Sequence, residues 1–352
     1  MKRRFLPLLI LLVLLFSFTC ILAACGETPT SSEPEATDSS AEESSAETST
    51  TTTAKATTTV PVSSSEAPVE ADPWVSAVFG GGPFVTGYME TVNKIKNSGF
   101  NTYIIWSVHL DEATGDLIIN DVPVVRNGEF VGNKGVQMTW KRIHEDCPNI
   151  TRIELSIDAW GTGDFTKIKK FIEMDPAKGG GTGENSILYK NFKALIEASG
   201  AHAINYDDES CYDLKTGVEF GKMCEKLGVK VTLCPYTNQN YWVSLYKALG
   251  PELCDRIYLQ CYAGGAGNKN NIKQWADAFG TDIIPGYWCN NTESPSDSMS
   301  ASTVKFNLSR NLEHVTGGFM WLYDQMKTLQ SPNAVKDYGT AITEAGENKV
   351  WD

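Results

Sequence analysis

Two hydrophobic rhythms alternate along residues 73–352. Short apolar runs at Trp74–Phe79, Thr102–Trp106, Arg152–Ile157, Ala203–Asp207, Lys230–Cys234, Arg256–Cys261, Ile283–Trp288 and Gly318–Leu322 predict eight strands. Between them apolar residues return every three or four positions, predicting helices over 88–97, 136–145, 165–173, 187–198, 216–227, 241–249, 272–279 and 301–312, with a closing helix over 334–344. Strands that alternate with helices favour a parallel sheet, and a count of eight favours closure, so the expected class is α/β, a (β/α)8 TIM barrel. Two stretches break the rhythm. After the second strand, 115–120 and 122–130 are apolar segments, the second broken by Asn127-Gly128, and read as a β-hairpin insertion. The glycine-rich run Gly179 to Gly183 lacks the spacing and Lys-Ser/Thr ending of a phosphate loop and reads as a flexible connection. An open doubly wound sheet is the rival, but Phe79-Gly80-Gly81-Gly82-Pro83 lacks dinucleotide-binding spacing.

The N-terminal quarter follows neither rhythm. Lys2, Arg3 and Arg4 precede an apolar run from Phe5 to Leu22, then Leu22-Ala23-Ala24-Cys25. This pattern resembles a lipoprotein export signal, with cleavage after residue 24 and lipid attachment at Cys25; an uncleaved anchor is the alternative. Residues 26–72 are nearly all Ser, Thr, Ala, Pro and Glu, without one aromatic residue and with ten acids against Lys55 alone. Such a segment cannot bury enough apolar surface to offset its ordering entropy, so 25–72 is expected to be a disordered, charge-extended stalk. The chain thus divides into signal 1–24, stalk 25–72 and barrel domain 73–352, facing outward from the membrane.

Charge and cysteine content narrow the functional classes. Without the signal the chain has 27 basic and 43 acidic residues, and the domain itself carries a net −7 with no basic cluster, which disfavours nucleic acid as a partner. Cys147, Cys211, Cys224, Cys234, Cys254, Cys261 and Cys289 are odd in number and show no C-x-x-C spacing, so small buried thiols are expected rather than a metal site. The histidines at 109, 144, 202 and 314 have no His-x-x-x-His spacing, and no Gly-x-Ser-x-Gly elbow occurs. No metal and no cofactor is expected, and the domain is expected to act as a monomer.

A barrel gathers its chemistry at the C-terminal strand ends. The fourth predicted strand ends in Asn205-Tyr206-Asp207-Asp208-Glu209, and alternation sends Asn205, Asp207 and Glu209 to one side, Tyr206 and Asp208 to the other. Crowded carboxyls raise one another's pKa, so one can stay protonated near neutral pH as a general acid; a solvated acidic loop or a cation site is the bland alternative. Trp106, Trp160, Tyr236, Tyr262, Trp288 and Trp321 lie at or beyond strand ends and suit the apolar faces of sugar rings, with Asn238 to Asn240, Asn290 and Asn291 as nearby amides.

The segment His202-Ala-Ile-Asn205-Tyr-Asp207-Asp-Glu209 resembles the fourth-strand signature of family 18 glycoside hydrolases, Asp-x-x-Asp-x-Asp-x-Glu, in its last Asp-x-Glu pair. His202 and Asn205 replace the two earlier acids, and Asp208 stands where an aromatic residue is usual. Gln260-Cys261-Tyr262 resembles the family's Met-x-Tyr-Asp motif with Ala263 in place of the acid, and Trp321 resembles the tryptophan at the floor of its sugar site. The resemblance implies a retaining, substrate-assisted cleavage of glycans bearing 2-acetamido sugars. Glu209 would be acid and then base, Asp207 would orient the acetamido group, and Tyr262 would hydrogen-bond it. Asn205 could donate a hydrogen bond to Asp207, and Asp208, Trp106, Trp160, Tyr236, Asn238, Trp288 and Trp321 would join it in binding the substrate. The alternatives are an inactive barrel that binds glycans as a lectin, and a hydrolase using an ordinary acid and nucleophile pair. Metabolic labelling with a fatty-acid analogue is expected to mark the expressed protein, and Cys25→Ala to abolish the label, measured by intact mass and in-gel detection.

Overall fold

The computed structural model describes residues 74–86, 88–290 and 295–351. The expected signal, Cys25, the stalk and Asn291 lie outside the described residues. Strands β1 (Val75–Gly80), β2 (Thr102–Leu110), β6 (Arg152–Ile157), β7 (Ala203–Tyr206), β8 (Lys230–Leu233), β9 (Cys254–Gln260), β10 (Ile284–Trp288) and β11 (Gly317–Trp321) pair in parallel with their neighbours. The first, β1, pairs with both β2 and β11, so among the described residues eight strands form a closed ring. Helices follow the strands around the outside, and the fold is a (β/α)8 TIM barrel.

The extra strands β3 (Leu117–Ile119), β4 (Val122–Arg126) and β5 (Glu129–Phe130) form the expected insertion. Here β2 runs on to Leu110, past its expected end at Trp106, because its second half pairs antiparallel with β3. Asn127 and Gly128 turn the chain with φ of 48° and 78°, the left-handed pair that a tight hairpin needs. Asn191 fastens this hairpin to helix Ile187–Ser199: its carbonyl accepts from Gly128 N and its amide donates to Gly115 O, both at 2.6 Å. The glycine run read as a flexible connection is a hydrogen-bonded turn instead. Gly181 N donates to Phe171 O, and a Cβ on Gly180 would lie 1.9 Å from Met174 O, so the backbone itself packs there.

Alternation along each strand divides the core into two layers. Outward side chains such as Tyr206 pack against Phe165 and Phe220 of the surrounding helices, with ring centroids 4.9 and 5.5 Å away. Inward side chains fill the barrel. Phe319 lies among Phe79, Tyr258 and Tyr262 at 5.2, 5.6 and 6.1 Å, and Gly286, its register partner on β10, leaves it room. Toward the strand starts lies a buried Glu154 whose oxygens accept from Thr232 Oγ1 (2.7 Å), Tyr258 OH (2.8 Å) and Arg152 Nε (2.7 Å). Such a charge is tolerated inside only because its lone pairs are satisfied. The seven cysteines named above are all free thiols, buried except for the half-buried Cys211.

A Cβ on Gly286 would stand 1.9 Å from Phe319 Cζ, and the ring has aromatic neighbours on its other sides. Gly286→Ala is therefore expected to lower unfolding stability by about 1–3 kcal/mol, measured by urea denaturation.

Candidate active site

The C-terminal mouth of the barrel holds a cavity of about 750 Å³, the size of a small-ligand site. Its walls include Trp106, Trp160, Tyr236, Tyr262, Trp288 and Trp321, all six aromatics read from the strand ends. Tyr262 stacks on Trp321 at 5.8 Å, and Trp106 meets the same indole edge-on at 4.8 Å. Both Trp106-Ser107 and Trp321-Leu322 peptide bonds are cis. The indole N–H of Trp288 donates to Gln325, which holds that ring from behind. Trp160 stands apart at the rim, 83% exposed and so available to a ligand rather than to packing. Its loop is fixed by the buried Asp158, whose Oδ1 accepts from Ala159 N (2.9 Å), Thr162 Oγ1 (2.5 Å) and Asp164 N (3.0 Å). That carboxylate thereby satisfies an N–H at the start of helix Asp164–Glu173.

Asp207 and Glu209 reach the cavity from the loop after β7, as alternation predicts, and share a hydrogen bond. One amide organises them. Gln260 Nε2, at the end of β9, donates to Asp207 Oδ1 at 2.9 Å, to Glu209 Oε1 at 3.4 Å and to the Cys234 carbonyl at 3.1 Å. Burial pushes the Asp207 carboxyl well above the carboxylate range, and the neighbouring charges of Glu209, Asp158 and Asp208 add to it. Glu209 is also raised, first by burial and then by Asp158, against the opposing pull of the Gln260 hydrogen bond. The pair therefore holds a proton at pH values where a free carboxyl would not. Burial keeps the Tyr262 phenol protonated as a donor, its pKa well above the usual value.

Three expected contacts fall elsewhere. Asn205 does not reach Asp207: its carbonyl accepts from Ser156 Oγ at 3.0 Å and its amide donates to Thr232 Oγ1 at 2.9 Å, inside the barrel and beneath the cavity. Asp208 turns away from the mouth, where its carboxylate accepts from the N–H groups of Ser210, Cys211 and Tyr212 and from Tyr241 OH. Such a loop of N–H groups is a role that short acidic side chains fill well. Asn238 starts helix Gln239–Leu249 in a left-handed conformation and lines a separate hollow with Tyr212 and Tyr241. Polar residues that line the cavity without having been proposed for the site are Ser107, His109, Thr162, Gln260 and Asp297. Gln260 lay inside a quoted motif; the others carried no sequence signal.

The raised Asp207 pKa has a stability consequence. A carboxyl whose folded pKa exceeds its unfolded value, about 3.9, leaves folding unpenalised below pH 4 and destabilises the native state as pH rises through the folded pKa. Asp207→Asn is therefore expected to be more stable than the parent at pH 7–8, with the gain vanishing toward pH 4, measured by thermal unfolding across that range.

No family model and no curated protein matches the sequence. Solved structures do match its fold. The spore cortex-lytic enzyme SleL of Bacillus cereus superposes with a TM-score of 0.52 at 10% identity, over 77% of this chain and 74% of its own. Active domain 2 of a chitinase from Pyrococcus furiosus gives 0.52 at 10% identity, over 80% and 97%. A GH18 chitinase from Cycas revoluta, solved with (GlcNAc)4, gives 0.50 at 12% identity, over 76% and 99%. The chain is thus similar in fold to these enzymes, sharing their barrel at an identity too low to carry an activity across.

Proposed function

We propose that this protein is a glycoside hydrolase of the family 18 type, acting on glycans that contain N-acetylhexosamine. What carries the reading is the convergence of Asp207, Glu209 and Tyr262 around one aromatic-walled cavity, where Gln260 ties the two carboxyls together. The similarity in fold to chitinases and to SleL supports it. Glu209, the more exposed of the pair, protonates the leaving glycosidic oxygen. The acetamido carbonyl oxygen of the substrate attacks the anomeric carbon, while Asp207 accepts the acetamido N–H and Tyr262 donates to the carbonyl. Water then opens the cyclic intermediate with Glu209 as base, and two inversions retain the configuration. Gln260 positions the acids by donating to them without taking part in proton transfer.

The site is best suited to an uncharged sugar, since Asp207, Glu209 and Asp297 on its walls would repel an anionic one. We place the domain on the outer face of the cell membrane, anchored through a lipid on Cys25, on the strength of the N-terminal pattern alone.

One observation favours glycan binding without turnover. The position below Asp207 holds Asn205, whose amide is committed to Ser156 and Thr232, so no ionisable side chain there can exchange a proton with Asp207. A panel of acetylated and deacetylated oligosaccharides separates the readings when products are followed by mass spectrometry. Hydrolysis should be confined to acetamido sugars, and Glu209→Gln and Asp207→Asn should each lower kcat/KM by about 100-fold or more. Binding that Trp321→Ala removes, with no product formed, would establish the lectin reading instead.

A further inference from the structure

The cavity carries a second ordered set of polar groups on β2, with β6 between it and the strand that bears the carboxyl pair. Ser107 and His109 both line the cavity, two residues apart on β2. Ser107 Oγ lies 2.8 Å from His109 Nε2, and His109 Nδ1 lies 2.7 Å from Asp164 Oδ2. Asp164 is fully buried at the start of its helix, and its Oδ1 also accepts from Leu110 N at 2.8 Å and Lys167 Nζ at 2.9 Å. Burial pushes the Asp164 carboxyl up, but the hydrogen bonds from His109, Lys167 and Leu110 outweigh it and leave the group below its usual range, hence ionised. An ionised acceptor fixes the proton of a neutral imidazole on Nδ1. The Nε2 lone pair is then free to accept the Ser107 hydroxyl proton.

We propose that Ser107 is a nucleophile for acyl transfer, with His109 as its general base and Asp164 orienting the ring. The order of contacts matches that of a serine hydrolase triad and is recognised by geometry rather than by sequence position. In the first step Ser107 Oγ attacks an ester carbonyl and its proton passes to His109 Nε2. The tetrahedral intermediate expels an alcohol, which takes that proton, and an acyl-Ser107 remains. Water then attacks the acyl carbon, giving its proton to His109, and Ser107 leaves with that proton as the carboxylic acid is released. Apart from the ester and water no reactant is needed.

An ester is the favoured class because it reacts with less stabilisation of the oxyanion than an amide requires. Because the cavity is shared, the ester is assigned to an O-acyl group on a sugar, a detail that rests on the glycan reading above. The nucleophile itself does not depend on that reading.

The test is covalent labelling of the full chain with a fluorophosphonate, read by intact mass and peptide mapping. One phosphonyl group per chain on Ser107 is expected. The Ser107→Ala protein should take up none, and His109→Gln should slow labelling by about 100-fold, the loss of a general base. Phosphonylation requires an activated hydroxyl, which a serine holding a histidine in place for structural reasons does not supply. An unlabelled chain after exposure that saturates a known serine esterase would overturn the proposal, as would an adduct on any other residue. Glycan cleavage is not read in this experiment, so its failure and the failure of the glycosidase reading are distinguishable.

Discussion

The Gln260 side chain is the interaction on which the candidate site depends. From the end of β9 its amide reaches Asp207 and Glu209 beyond β7 and the Cys234 carbonyl beyond β8. One donor group thereby ties together three consecutive strand ends. It also meets a strict requirement: two carboxyls drawn out of water need donors, or the site is lost to their repulsion. A neutral amide meets that need without adding a charge, and so leaves the pair able to hold a proton.

The barrel beneath is arranged so that this amide has something rigid to stand on. Glu154 and its donors occupy the end near the strand starts, and aromatic rings around Phe319 fill the middle. A polar chain runs from Ser156 through Asn205 and Thr232 to Glu154 by hydrogen bonds. Polar groups inside the ring are thus satisfied in sequence, and the uncompensated demand is left at the mouth. Asp158 and Asp208 spend their carboxylates on loop N–H groups, which holds the rim, and their charges add to the raised pKa of the pair.

Two proton-handling sets therefore face one cavity. The pair after β7 is acidic and holds its proton under burial, whereas Ser107, His109 and Asp164 form a chain whose terminal carboxylate is kept ionised by Lys167 and Leu110. The contrast comes from donors. Asp164 has four partners of which one is a cation, while Asp207 shares a single amide with a second acid. Environments that push titratable groups apart in this way allow different proton transfers in one site.

The sequence by itself determined the eightfold alternation, the hairpin insertion and the face on which Asp207 and Glu209 lie. Those features rest on local periodicity, which a strand or helix must obey wherever it packs. The direction of Asp208 it left open, since a bulge at the strand end would reverse the alternation. Only the tertiary structure decided which groups meet. Ser107, His109 and Asp164 come from a strand and a helix start 55 residues apart, brought together by loop conformation and strand register rather than by any local pattern. The same holds for Gln260 and Asp207, 53 residues apart on strand ends with β8 between them. Asn205 lost its expected partner because closing the ring set Ser156 and Thr232 beside it at the same level, and Asn238 went to another hollow because its loop turns into a helix. Contacts across strand ends depend on closure and register, and no spacing within one segment encodes them.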